Sequence, residues 1–219
     1  MINALLFDLD GTLLASDPLH AQAFVDQFAE HGREIDEAFY NTRIHGRLNA
    51  EIFAEFFPDE DGEAMAAEKE AAFRVLLGPS SPPMPGLVAL LDRADQAGWA
   101  KAVVTNAPRI NAEFMLSSIG VAERFDTLVV SDECAAGKPD PAPYLEGLRR
   151  VGATPETAIA FEDSPSGIRA AAAAGILTVG IRSTLDDATL RGAGATATFS
   201  DFTDPALGPL LDRQSGAAA

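Results

Sequence analysis

The chain has 219 residues, of which 47% are hydrophobic and 22% charged, and carries a formal net charge of −17. That charge disfavours nucleic acid, whose phosphates need Lys and Arg, and also an anionic membrane surface. The only cysteine is Cys134, so no internal disulfide can form, and a reducing cytoplasm is the expected compartment. The length suits one large domain or a core with a smaller insert.

The first apolar run, Ala4 to Phe7, is too short for a buried helix and reads as a buried strand. Cut short by Asp8, it reads as neither signal peptide nor membrane anchor. It leads into Asp8-Leu9-Asp10-Gly11-Thr12-Leu13. Residues two apart on a strand point to one side, about 6–7 Å apart. Asp8 and Asp10 are therefore expected to project together from the carboxyl end, an arrangement that suits a hard cation or a shared proton.

From position 16 to 85 the periodicity is helical. Leu19, Ala23, Phe24 and Phe28 fall on one face, Ile52, Phe53 and Phe56 on a second, and Ala67, Ala71, Leu76 and Leu77 on a third. Asp17-Pro18 opens the first of these helices. The stretch ends in Gly78-Pro79-Ser80-Ser81-Pro82-Pro83 and Pro85-Gly86, a linker by composition. Residues 16–85 are read as an all-α domain inserted after the first strand of a core formed by 1–15 and 86–219. After the linker, strands and helices alternate. Strands are expected at Ala100–Val104, Thr127–Val130, Ala158–Phe161 and Leu177–Ile181. Helices are expected at Leu87–Ala97, Pro108–Ile119, Pro141–Val151 and Pro165–Ala174. The pattern is α/β, a Rossmann-like parallel sheet flanked by helices.

The trusted strands end in polar residues: Asp8 and Asp10, then Thr105-Asn106, then Ser131-Asp132 followed by Gly137-Lys138-Pro139, then Glu162-Asp163-Ser164. In a parallel sheet all of these share one edge. Carboxylates from two strands supply the hard oxygen ligands that Mg²⁺ takes, Lys138 supplies a point charge, and Thr105 and Asn106 supply donors to phosphate oxygens. The chemistry that fits is phosphoryl transfer to a carboxylate. An unaided carboxylate approaching a phosphate dianion meets repulsion on the order of 9 kcal/mol at an effective dielectric of 20. A metal and a lysine together offset it. Around these residues, Ser131 and Asp132 read as turn caps, Asp140 as a helix cap, Cys134 as inert and Asp59-Glu60-Asp61 as a solvated charge run.

The set resembles the four motifs of the haloacid dehalogenase superfamily: Asp8 to Leu13, Thr105-Asn106, Lys138 in Gly137-Lys138-Pro139-Asp140-Pro141, and Glu162 to Gly167. The helical insert resembles the cap of the branch containing beta-phosphoglucomutase and phosphoglycolate phosphatase. The resemblance implies that Asp8 is the nucleophile and Asp10 the general acid/base. It implies Mg²⁺ held by Asp8, the Asp10 carbonyl, Asp163 and Glu162, and phosphate held by Thr105, Asn106 and Lys138. His20 resembles a cap histidine of the phosphomutase subgroup. Ile44-His45-Gly46-Arg47-Leu48-Asn49 resembles its substrate loop, with His45 where a lysine is typical and Asn49 where an arginine is typical. His20, His45, Gly46, Arg47 and Asn49 are accordingly the candidate substrate contacts of the cap. The expected activity is a Mg²⁺-dependent phosphatase acting on a small phosphorylated metabolite through an aspartyl-phosphate, with a phosphomutase of the same fold as the alternative. Thr12 and the departures at His45 and Asn49 favour hydrolysis. Asp10 argues against a true dehalogenase, which has no acidic residue there. The long helical insert argues against a response-regulator receiver.

Overall fold

The structure, a computed structural model, describes residues 1–44, 47 and 49–215. The chain divides into two compact units, Met1–Ala15 with Pro82–Ala219, and Ser16–Ser81. It opens in the first unit with strand β1 (Ala4–Phe7) and then enters the second.

The second unit is helical. It contains α1 (Asp17–Glu30), the short α2 (Glu37–Phe39) running into a π-helical turn at Tyr40–Ile44, α3 (Asn49–Phe56) and α4 (Gly62–Leu77). Its core is aromatic: Phe24, Phe28, Tyr40, Phe53, Phe56 and Phe57 are buried together with Ile44, Ile52 and Met65. The Phe28 and Phe57 rings meet edge to face at 4.8 Å, a geometry favoured by the ring quadrupole. Asp59, Glu60 and Asp61 are exposed, as a solvated charge run should be, and Asp61 also caps α4, its carboxylate accepting from the backbone N–H groups of Glu63 and Ala64.

The buried face of α4 also differs from the expected one. Met65, Lys69, Glu70, Phe73 and Leu77 are buried, whereas Ala67 and Ala71 are exposed and Leu76 keeps 38% of its surface in solvent. Apolar periodicity alone misplaces this face because it treats Lys69 and Glu70 as solvent residues. They are buried because they are paired. Lys69 Nζ lies 2.7 Å from His20 Nδ1 and 2.9 Å from Glu70 Oε1, and Glu70 accepts from Asn49 Nδ2 at 2.7 Å.

The first unit continues with α5 (Leu87–Ala97), β2 (Ala100–Thr105), α6 (Arg109–Ser118), β3 (Thr127–Val130), α7 (Ala142–Val151), β4 (Ala158–Glu162), α8 (Pro165–Ala173), β5 (Leu177–Ile181), α9 (Asp187–Ala193), β6 (Ala197–Phe199) and α10 (Leu207–Ser215). The strands named from sequence all form, and α9, β6 and α10 are added to them. Among the described residues, six strands make one parallel sheet in the order β3-β2-β1-β4-β5-β6. Both faces of the central strands are covered, which is why they read as continuous apolar runs. Leu6, Val104, Val129 and Ala160 pack with Tyr144 and Leu148 of α7 and with Ala170 and Ala171 of α8. Phe7 stacks on Phe161 at 5.0 Å, and Phe202 meets both edge-on. Among the described residues no helix is long and apolar enough to cross a membrane.

The strand order reverses between β1 and β4, since β2 and β3 lie to one side of β1 and β5 and β6 lie beyond β4. In open parallel sheets the crevice outside such a reversal is where ligands bind. Phe7 is in register with Phe161, so the residues after them, Asp8 and Glu162, emerge side by side at that point. Phe161 is fully buried between two rings. Phe161→Ala is therefore expected to lower the unfolding free energy by about 3–5 kcal/mol, measured by urea denaturation.

Candidate active site

Four of the expected site residues meet at the carboxyl edge of the sheet. Asp8 follows β1, Glu162 closes β4, and Asp163 comes next. Lys138 arrives on the segment between β3 and α7. Its ammonium donates to Asp8 Oδ1 at 2.5 Å, to Glu162 Oε1 at 2.6 Å and to the Val104 carbonyl at 2.8 Å. An ammonium has three protons, and all three are used. The group is buried, with 3% of its side chain exposed.

Glu162 has no exposed surface. Its Oε1 accepts from Lys138 and from the Tyr144 hydroxyl at 2.9 Å. Its Oε2 accepts from the backbone N–H groups of Asp163 and Ser164 and from Ser164 Oγ. Ser164 Oγ in turn caps α8 by accepting from Gly167 N at 3.1 Å. Position 167 must be glycine for this packing, since a Cβ there would stand 1.7 Å from Glu162 Oε1.

Asp10 is half-buried, and its charge acts on Asp8. Burial pushes the Asp8 carboxyl well above its ordinary range, Lys138 pulls it back, and Glu162 and Asp10 push it up further. For Lys138, burial favours the neutral amine, but the charges of Asp8 and Glu162 outweigh it and hold the ammonium protonated more firmly than usual. Burial and the Glu162 charge raise the Tyr144 phenol, which therefore stays protonated and donates.

Thr105 and Asn106 flank this group at the end of β2. The buried Thr105 hydroxyl accepts from Ala107 N at 2.9 Å. The Asn106 side chain is tied to the lysine segment. Its Oδ1 accepts from Lys138 N at 3.2 Å and from Ser131 Oγ at 2.5 Å, and its Nδ2 donates to Lys138 O at 3.4 Å. The main chain of Lys138 thus fixes which way the amide faces. The hydroxyl of Ser131, read from sequence as a turn cap, goes to Asn106. Asp140 does accept from Ala142 N, as a cap of α7. Thr12 is fully buried, and among the described residues its Oγ1 has no hydrogen-bond partner.

The residues expected from the helical insert are held differently. His20 and Asn49 belong to the Lys69–Glu70 network of the helical unit, and the His20 ring stacks on Phe73 at 3.9 Å. Arg47 pairs with Glu55 Oε2 at 2.8 Å and donates to the Arg43 carbonyl at 2.8 Å. His45 and Gly46 lie outside the described residues. Sequence reading also missed Tyr144, Ser183, which donates to Asp163 Oδ2 at 3.2 Å, and the Lys69–Glu70 pair.

Asp8, Glu162 and Asp163 each place one carboxylate oxygen within 4.8 Å of the others. Asp10 adds its charge to that of Asp8, while the one ammonium, Lys138, pairs with Asp8 and Glu162. This excess of negative charge, offered as hard oxygen donors, fits a small divalent cation.

A family profile described as haloacid dehalogenase-like hydrolase matches residues 2–175. The chain belongs to that family. It is an enzyme, a hydrolase of the phosphoric monoester class. It is 34% identical over 215 residues, 95% of this chain and 100% of the relative, to validoxylamine A 7'-phosphate phosphatase of Streptomyces hygroscopicus subsp. limoneus. It is 33% identical over 181 residues, 81% of this chain and 95% of the relative, to a fructose-1-phosphate phosphatase of Escherichia coli. Among solved structures, CbbY from Rhodobacter sphaeroides in complex with phosphate superposes with a TM-score of 0.79 at 30% identity, covering 93% of this chain and 96% of that one.

The packing around Glu162 gives a direct test. Gly167→Ala forces Glu162 or α8 to move, and is expected to destabilise by about 1–3 kcal/mol. Gly192→Ala, in α9 with nothing within 4 Å of the new methyl, is expected instead to stabilise by about 0.5–1 kcal/mol. Urea melts of the two variants beside the wild type measure both.

Proposed function

We propose that the chain is a Mg²⁺-dependent phosphatase of a small phosphorylated metabolite, sugar phosphate or phosphoglycolate in type, working through an aspartyl-phosphate. One observation carries the reading: Asp8, at the strand-order reversal, shares a buried ammonium with Glu162 while Asp163 stands within 4.8 Å. The sugar-phosphate phosphatases among its relatives support it.

In this reading Asp8 Oδ attacks the phosphorus and the ester oxygen leaves, taking a proton from Asp10. Water then attacks the aspartyl-phosphate, Asp10 takes a proton from that water, and Asp8 is released with inorganic phosphate. Lys138 compensates the charge that gathers on the transferring group. It keeps its bonds to Glu162 and Val104 while the Asp8 contact is exchanged. Thr105 and Asn106 line the phosphate side, with the Asn106 side chain also steadying the Lys138 main chain. Asp8, Asp163 and the main-chain carbonyl of Asp10 would hold Mg²⁺, with Glu162 behind them. The ion would neutralise phosphate charge.

Substrate selection is assigned to the helical unit, through His20, His45, Gly46, Arg47 and Asn49. The pairing of Arg47 with Glu55, and of Asn49 with Glu70, supports a substrate with one phosphate over a bisphosphate.

The test is phosphate release from a panel of small phosphate esters, with and without Mg²⁺, beside Asp8→Asn. Release that requires Mg²⁺ and falls to background in Asp8→Asn is expected. Release unchanged in the variant, or none from any ester, overturns the reading.

A further inference from the structure

We propose that Tyr144 is a positioning residue for the reaction: its hydroxyl fixes Glu162 Oε1, and through that oxygen the ammonium of Lys138. The inference rests on the phosphatase reading above and adds to it a residue outside the four motifs.

Lys138 has three protein acceptors, but they are not equivalent. The Asp8 oxygen is the one that must become free to react. The Val104 carbonyl and Glu162 Oε1 are therefore the fixed points of the ammonium. A main-chain carbonyl within β2 is held by its strand. A glutamate side chain has three rotatable bonds and needs to be held. On the Oε2 side, Asp163 N, Ser164 N and Ser164 Oγ do this. On the Oε1 side, apart from the lysine itself, the donor is Tyr144 Oη at 2.9 Å.

The phenol reaches the strand end because α7 lies close on the sheet. A Cβ at Gly147 would stand 3.0 Å from Leu6 Cδ2 and 3.1 Å from Val104 Cγ2, so this helix approaches more closely than a larger residue would permit. Tyr144, three residues earlier, lies on the same helical face. It is fully buried and belongs to an apolar cluster with Leu6, Val104 and Leu148. A phenylalanine would fill that space equally well. A hydroxyl placed there costs stability unless it is bonded, and its bond goes to the oxygen that anchors the lysine. The ring also faces the ammonium at 5.2 Å, so its π-face adds to the same restraint.

Tyr144→Phe removes one oxygen and keeps the ring. With the best ester from the panel and saturating Mg²⁺, kcat is expected to fall about tenfold, as fits one hydrogen bond to a charged group. KM is expected to stay within about twofold, and Tm within about 4 °C. Circular dichroism confirms the fold. In a Glu162→Ala background, which removes Oε1 altogether, the same change is expected to have no further effect on kcat, because both substitutions then act on one contact. A lowered Tm with wild-type kcat makes Tyr144 merely structural and overturns the proposal. An equal loss of kcat in both backgrounds overturns the route through Glu162. A wild-type protein that releases no phosphate removes the phosphatase reading and this inference together. An active wild type matched by Tyr144→Phe removes the inference alone.

Discussion

The structure depends on one buried cation. Lys138 joins the ends of three neighbouring strands: Asp8 after β1, Val104 in β2 and Glu162 of β4. Without it, two carboxylates would share a nearly dry strand edge, and charge repulsion would oppose the register that brings them together. Removing one member of such a buried pair leaves the others uncompensated, a cost of about 3–5 kcal/mol in comparable cases. The lysine is held in its turn. Asn106 binds its main chain at both N–H and carbonyl, Ser131 holds Asn106, and the far oxygen of Glu162 meets the first residues before α8. Strand ends, one helix start and the Asp8 carboxylate therefore form a single hydrogen-bonded network, so a change at one place is felt at the others.

The place of this network follows from topology. In a parallel sheet every strand ends on the same edge, and only where the order reverses do adjacent crossovers part to leave a crevice. Asp8 and Glu162 stand at that reversal because β1 and β4 are neighbours there. Three carboxylates clustered at one edge, with a lysine paired to two of them, would be a poor way to stabilise a fold. The proposed function gives their excess charge a use.

Much of this was legible from sequence, and the gaps have physical causes. The central strands are buried on both faces, so Ala4–Phe7 and Ala158–Phe161 read directly as apolar runs. The motif residues stand where those runs break, and a buried strand gives a carboxylate no other reason to be there. Helix α4 was found, but its face was not, because Lys69 and Glu70 are buried through partners 49 and 21 residues away in sequence. Nothing local announces such a pairing. Ser131 looked like a turn residue, yet its hydroxyl crosses to Asn106, which is 25 residues earlier. Tyr144 looked like one more aromatic on an amphipathic helix. Periodicity reports that a ring is buried and is silent about where its hydroxyl points. Short edge elements such as β6, with three residues, carry too little pattern to be read at all.

The adjacent acids Glu162 and Asp163 show how two similar groups come to differ. Glu162 ends β4, points into the protein and has no exposed surface. Its two oxygens accept from five protein donors, Lys138, Tyr144, Asp163 N, Ser164 N and Ser164 Oγ. A carboxylate so fully engaged is a fixed reference for its neighbours. Asp163 is one residue further, past the strand, half-exposed, and accepts from the hydroxyl of Ser183. The extra methylene of Glu162 lets its head reach the lysine and the phenol beneath the edge, while the shorter Asp163 stays at the edge itself. The same charge on consecutive residues is thus divided into one carboxylate buried and fully engaged and one that stays at the edge, and the division is made by chain length and by the strand ending between them.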